Sequence, residues 1–247
     1  MLFRSFVERM RAGYPLAEFV ALAASPVTLA TASSSIQVMT VAKDRMASFI
    51  NEDLKTHPGL AAVLADHLRP SSVEWFWDAL GTFEIDAATA IVNGPILHNE
   101  SWEYAGYVVG LGGYLASPQY QKTTGNLDPR TLGRRNISAL HLGAAVFDSE
   151  KILRAGGFSG FDFQTALYGI ELAQRLTKYS LLMAFAPRMI VLSQVQIQQP
   201  SRVEFEKFFG RNASLVAEDP YYPSPLSKSL TNYGFFENPT HKSVETL

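Results

Sequence analysis

The chain has 247 residues, 47% of them hydrophobic, with 21 Lys and Arg against 23 Asp and Glu and a formal charge of -2. That is enough apolar material for one substantial core, and a single domain over residues 1–247 is expected. The near-neutral balance, with no Lys- or Arg-rich run, excludes a basic nucleic-acid groove, and the lack of cysteine excludes disulfides, thiolate metal sites and cysteine nucleophiles.

The N-terminus, MLFRSFVERMRAG, intersperses charges where a signal peptide carries its apolar block, and no apolar run reaches membrane-spanning length. A cytoplasmic location is expected. Leu2, Phe3, Phe6, Val7 and Met10 recur at helical spacing with Arg4, Glu8, Arg9 and Arg11 between them. Two readings stand: a helix packed on a sheet, or a peripheral contact with the inner face of a membrane. The first 25 residues read as mainly helical. Pro26 to Thr31 and Ile36 to Val41 read as short strands, Arg45 to Lys55 as a helix, and Leu60 to Ala65 as an apolar strand ending at Asp66 and His67. Pro70-Ser71-Ser72 opens a helix, with Ser72 as the cap for Val73 to Leu80. Thr89 to Val92 reads as a strand before the turn Asn93-Gly94-Pro95. The Pro, Gly, Asn and Thr content of Ser117 to Arg130 predicts a long loop.

The densest signal follows. Ile137 to Phe147 is a nearly continuous apolar run, the pattern of a strand covered on both faces. Asp148 to Ala155 reads as a short helix with Gly156 and Gly157 just past its end, where glycine takes the left-handed cap. Thr165 to Lys178 places Ala166, Leu167, Ile170, Ala173 and Leu176 on one helical face. Strands alternating with helices predict an α/β fold, a mostly parallel twisted sheet flanked by helices.

The segment SALHLGAAVFDSEKILRAGGF, with TALYGIELAQRL after it, resembles the second half of the GT-A catalytic domain of inverting, family-2-type glycosyltransferases that build O-antigen and related surface polysaccharides. WEYAGYVVGLGGY, Trp102 to Tyr114, is similar to the family's segment ending in a glycine-rich hairpin, and AEDPYYPSPLS, Ala217 to Ser227, to its Asp-Pro-Tyr-Tyr-Asn-Pro tail. The match runs over about residues 26–227, leaving a helical segment 1–25 and a tail 228–247. The resemblance implies a GT-A-like fold, a nucleotide-sugar donor, and a carbohydrate or lipid-linked sugar acceptor.

The resemblance also marks where chemistry is expected. Family members place an Asp-rich motif at the end of the strand that corresponds to Leu60 to Ala65, and its carboxylates hold a Mg²⁺ or Mn²⁺ ion that neutralises the diphosphate leaving group. Here those positions are Ala65, Asp66 and His67, and the usual histidine after the later strand falls at Ser193. No metal site is therefore expected, and Asp66 and His67 remain as substrate-binding candidates, with a solvated strand-end carboxylate the other reading of Asp66. The family's base, which removes the proton from the acceptor hydroxyl, falls on Gly169. Glu171 is the candidate catalytic carboxylate, and a surface pair with Arg175 four residues on is the other reading. Trp102 and Tyr104 are candidates for an aromatic platform under a sugar ring or for core packing. Gly156 and Gly157 are expected beside the acceptor cleft. The family's first, nucleotide-stacking strand has no candidate in residues 1–25, and Ala32 stands where an acid would read the base or ribose. A non-catalytic protein that binds a glycan or a partner is the alternative to an active enzyme.

Overall fold

The structure is a computed structural model that describes residues 20–23, 37–40, 45–65, 67–111, 133–159, 166–197, 201–211, 219–222 and 225–227. In chain order, β1 (Val20–Ala23) and β2 (Gln37–Thr40) precede α1 (Met46–Thr56), and β3 (Leu60–Leu64) and β4 (Leu68–Pro70) precede α2 (Trp75–Ile85). Then come β5 (Thr89–Asn93), β6 (Ile96–His98), β7 (Ser101–Tyr104), β8 (Arg135–Asn136) and β9 (Ala144–Asp148), followed by α3 (Ser149–Arg154) and α4 (Ala166–Lys178). The last elements are β10 (Leu182–Phe185), β11 (Val191–Ser193) and α5 (Arg202–Arg211).

The central sheet has the order β3-β9-β5-β10-β8. Strand side chains alternate between faces, and the alternation sorts the core into two clusters. Ile91, Ala145, Phe147, Met183 and Phe185 pack with Ala47, Ile50 and Leu54 of α1, Ile152 of α3, and Leu172, Ala173 and Leu176 of α4. Val92, Ala144, Val146 and Ala184 pack with Trp75 and Ala79 of α2 and with Ile96 and Val191 of a second sheet. Both faces are thus covered, which is why β5 is buried along its whole length and why residues 144–147 read as an unbroken apolar run. The second sheet has the order β4-β11-β6-β7, with β6 and β7 joined through Asn99 and Glu100, both at positive φ (47° and 62°). That conformation matches the twist of a tight hairpin.

Most of the expected elements are present, with four corrections. The central sheet is mixed: β5 and β10 run parallel, whereas β9 is antiparallel to both β3 and β5. Burial on two faces makes a strand apolar whichever way it runs, so the run at Ile137 to Phe147 carried no direction. Only its second half is strand; residues 137–143 are buried irregular chain, joined to Tyr107 by one bridge at Ala139. Within the N-terminal 25 residues, expected to be helical, Val20–Ala23 is a strand paired in parallel with β2. Leu68–Pro70 is a strand on β11 rather than the approach to a helix, and α2 begins at Trp75 with no side-chain cap bond. Ser72 instead bonds the Glu74 carboxylate, which lowers the Glu74 pKa. The expected strand at Pro26 to Thr31 and the loop at Ser117 to Arg130 lie outside the described residues.

Candidate functional site

In an open α/β sheet the ligand crevice lies beyond the C-terminal ends of the strands. Because β9 runs against its neighbours, the ends of β3 and β5 meet its start: Leu64 pairs with Ala144 and Asn93 with Ala145. The chain after β3 is pinned there by Ala65 N–H donating to the Gly143 carbonyl (2.8 Å), and Leu68 N–H donates to the Ala65 carbonyl (2.9 Å). Asp66 itself lies outside the described residues. The His67 carbonyl accepts Gln194 N–H at 3.0 Å, Ser193 pairs with Leu68, and His98 Nδ1 sits 3.2 Å from the Ser193 carbonyl. The fold therefore brings Ala65, His67 and Ser193 together. Their chemistry does not fit a hard divalent cation, which takes oxygen ligands. Ala65 offers a methyl group, the Ser193 hydroxyl is bonded to the Val195 carbonyl, and among the described residues no three His, Asp or Glu side chains gather to hold an ion.

A buried polar group is centred on Tyr104. Its hydroxyl accepts the Asn93 amide at 2.7 Å, and its ring meets Tyr107 edge-on at 4.8 Å and His141 at 6.0 Å. Burial raises the Tyr104 pKa against the opposing pull of the Asn93 bond. Burial also pushes the His141 imidazole down to about 4, with His67 adding a smaller repulsive effect. Asn93 Oδ1 and His141 Nδ1 are buried with no hydrogen-bond partner among the described residues. Tyr104 is 0% exposed, so it is a core residue and its ring offers no open face for stacking. Trp102, two residues earlier, is partly buried against the first cluster and keeps some surface.

The Gly156-Gly157 turn is as expected in conformation, with φ of 95° and 70°. Its helix is capped by the Asp148 carboxylate, which accepts Glu150 and Lys151 N–H. Gly156 is exposed, whereas Gly157 is buried against protein. From α1, the Asn51 side chain donates to the Phe158 carbonyl (2.8 Å) and accepts Phe158 N–H (2.7 Å). A Cβ at Gly157 would lie 2.6 Å from Asn51 Oδ1, which reserves the position for glycine. From α4, Arg175 Nη1 donates to the carbonyls of Ala155 (2.8 Å) and Gly157 (2.6 Å). Glu171 holds that guanidinium by two bonds, to Nε at 2.8 Å and Nη2 at 3.0 Å, and also accepts the Ser159 hydroxyl at 3.0 Å. Glu171, Gly156 and Gly157 are thus brought together, with the carboxylate committed to an Arg175 clamp.

At Gly169, the position matching the family's base, helix and loop come into backbone contact. A Cβ there would overlap the Leu140 carbonyl oxygen and stand 3.0 Å from its carbonyl carbon. No side chain fits. The sequence shows a glycine there but not this contact, since the partner is 29 residues away.

Reasoning from sequence also missed Asp219. In the tail segment, this residue is 6% exposed and accepts Val109 N–H at 2.8 Å and the Ser138 hydroxyl. The acidic residue in Asp-Pro-Tyr-Tyr was the available signal, because a buried carboxylate needs several donors.

The fold is α/β, a mixed sheet covered on both faces, and it is GT-A-like by its likeness to a solved glycosyltransferase. The crystal structure of GalNAc-T7 with UDP, GalNAc and Mn²⁺ is similar to this chain at a TM-score of 0.58 and 12% identity, over 86% of this chain and 44% of that one. The likeness is one of fold, and this chain spans less than half the length of that protein. A197 from STIV matches 74% of this chain and 97% of its own at 10% identity, with a TM-score of 0.35 that carries no argument. No protein-family model and no curated protein matches the sequence.

Proposed function

We propose that this chain is a glycosyltransferase-like protein that holds a carbohydrate ligand on its GT-A-like scaffold and performs little or no sugar transfer itself. The observation that carries this reading is the backbone contact at Gly169. The Leu140 carbonyl fills the space in which the resembled family positions its base, and the one acid of that helix, Glu171, lies two residues on and on another face, engaged by Arg175 and Ser159. Absence of a positioned base costs about 10²- to 10⁴-fold in rate. The donor set at Ala65, His67 and Ser193 removes a second contribution, since neither Ala65 nor the bonded Ser193 hydroxyl supplies a charged oxygen to a cation at the leaving group.

The likeness to a fold that holds UDP and GalNAc in GalNAc-T7 supports a nucleotide sugar or its glycosyl acceptor as the ligand class. Trp102, partly buried next to the exposed Ser101, is the aromatic candidate to carry it. The second reading is an active enzyme of the polysaccharide-building type, transferring a sugar with inversion from a nucleotide donor to a polysaccharide or lipid-linked acceptor at the cytoplasmic face of a membrane. In that reading Glu171 leaves Arg175 and takes the acceptor proton. Titration calorimetry with N-acetylgalactosamine and with UDP-N-acetylgalactosamine tests the binding proposal. Saturable binding by the unaltered chain, weakened about tenfold or more in Trp102→Ala, is expected; no binding of either probe would contradict it.

A further inference from the structure

The tail segment, left unused by the site above, folds back onto the body of the protein through one carboxylate. Asp219 Oδ2 accepts Val109 N–H at 2.8 Å; Oδ1 accepts the Ser138 hydroxyl and, within the tail, Tyr221 N–H at 2.9 Å. Val109 lies in the loop after β7, downstream of Trp102 and Tyr104. Ser138 lies in the segment that supplies Leu140 and His141. Those two segments are stitched directly by Tyr107 N–H to the Ala139 carbonyl (3.2 Å) and by the Arg135 guanidinium to the Ala105 carbonyl. Asp219 adds a third tie from a chain position 110 residues away from Val109. The tail has its own brace, since Tyr222, 7% exposed, donates its hydroxyl to the Ser227 carbonyl at 3.0 Å.

We propose that Asp219 is a positioning residue: it fixes the mutual placement of the two segments that carry the site and links docking of the tail to ligand affinity beside Trp102. The part concerning affinity rests on the carbohydrate reading above. Bonds to an ionised acceptor are the stronger kind, and undocking the tail leaves the Val109 amide and the Ser138 hydroxyl without the acceptor they have in the folded chain. Linkage is reciprocal. A ligand that favours the docked arrangement of 102–111 therefore tightens the tail by the factor by which the tail tightens the ligand.

Hydrogen exchange on the full chain tests the placement independently of any ligand. In Asp219→Asn, amides of 105–111 and 219–222 should exchange about tenfold to a hundredfold faster, the range implied by losing a charged hydrogen bond, while 89–93 and 144–148 keep their protection. Ser138→Ala, which removes one donor and leaves the tail carboxylate, should give the same pattern at smaller amplitude. Unchanged exchange at 105–111, or an equal loss of protection in 144–148, would overturn the proposal, the latter by marking Asp219 as a general stabiliser. In parallel, N-acetylgalactosamine affinity should fall in Asp219→Asn by a factor similar to the exchange change, and unaltered affinity despite faster exchange would sever the link to the ligand. If the unaltered chain binds no N-acetylgalactosamine, the carbohydrate reading fails, while the exchange pattern still decides the positioning role.

Discussion

At Gly169 a single hydrogen atom in place of a side chain allows α4 to rest on the carbonyl of Leu140. Restoring the missing acid there is a steric problem before it is a chemical one. Gly169→Asp should lower stability by about 1–3 kcal/mol or more, the usual range for overpacking with backbone shifts, and should confer no transfer activity. A denaturant midpoint equal to that of the unaltered chain would show that helix and loop separate easily. His141 sets a pH dependence. Its imidazole is buried, its folded pKa is about 4 against 6.5 for a free group, and Tyr104 and His67 are its ring and titratable neighbours. Between pH 6.5 and 4 the unfolded chain takes up a proton that the folded chain refuses. This contribution to stability is therefore complete above pH 6.5 and is lost as pH falls to 4, by about 3 kcal/mol at 1.36 kcal/mol per unit. Melting temperature measured across that interval should fall for the native chain and fall less for His141→Gln; parallel curves would remove His141 as the cause.

Among elements, the Gly-Gly-Phe turn shows how much the sequence reveals and where it stops. Local rules gave the helix after β9, the glycines past its end and the apolar face of α4, because capping and helical spacing are short-range effects. They could not give what fills the turn's surroundings. Asn51 reaches it from 107 residues away, and Arg175 from α4 occupies its carbonyls. Both contacts depend on which helices share a face of the sheet. The direction of β9 escaped for the same reason. Val20–Ala23 escaped differently: four residues are too few for a period to outweigh the helical pattern before them. Asn51→Ala takes from Phe158 both a donor and an acceptor. It should cost about 1–3 kcal/mol and speed exchange at Gly157 and Phe158 more than in β5. A variant of full stability would mean that Arg175 alone suffices to hold the turn.

For the molecule as a whole, the scaffold is GT-A-like in fold, and the positions that the family resemblance would assign to metal and base hold alanine, histidine, serine and glycine. In the proposed reading the two differences are physically separate: Ala65 and the bonded Ser193 hydroxyl offer no charged oxygen, whereas a side chain at Gly169 meets backbone. Titration with Mn²⁺ should therefore show no stoichiometric site of micromolar affinity. A micromolar site abolished by Asp66→Ala would mean that the strand-end acid assembles a ligand set of its own.

Ligand holding without efficient transfer can be checked by following radiolabelled sugar from UDP-sugars and other nucleotide sugars onto an acceptor panel, with and without Mn²⁺, for the native chain and for Glu171→Gln. Transfer is expected at or near the uncatalysed background in every combination, with no response to Mn²⁺ and no difference between the two proteins. Robust transfer by the native chain, abolished in Glu171→Gln, would contradict it and assign Glu171 as the base.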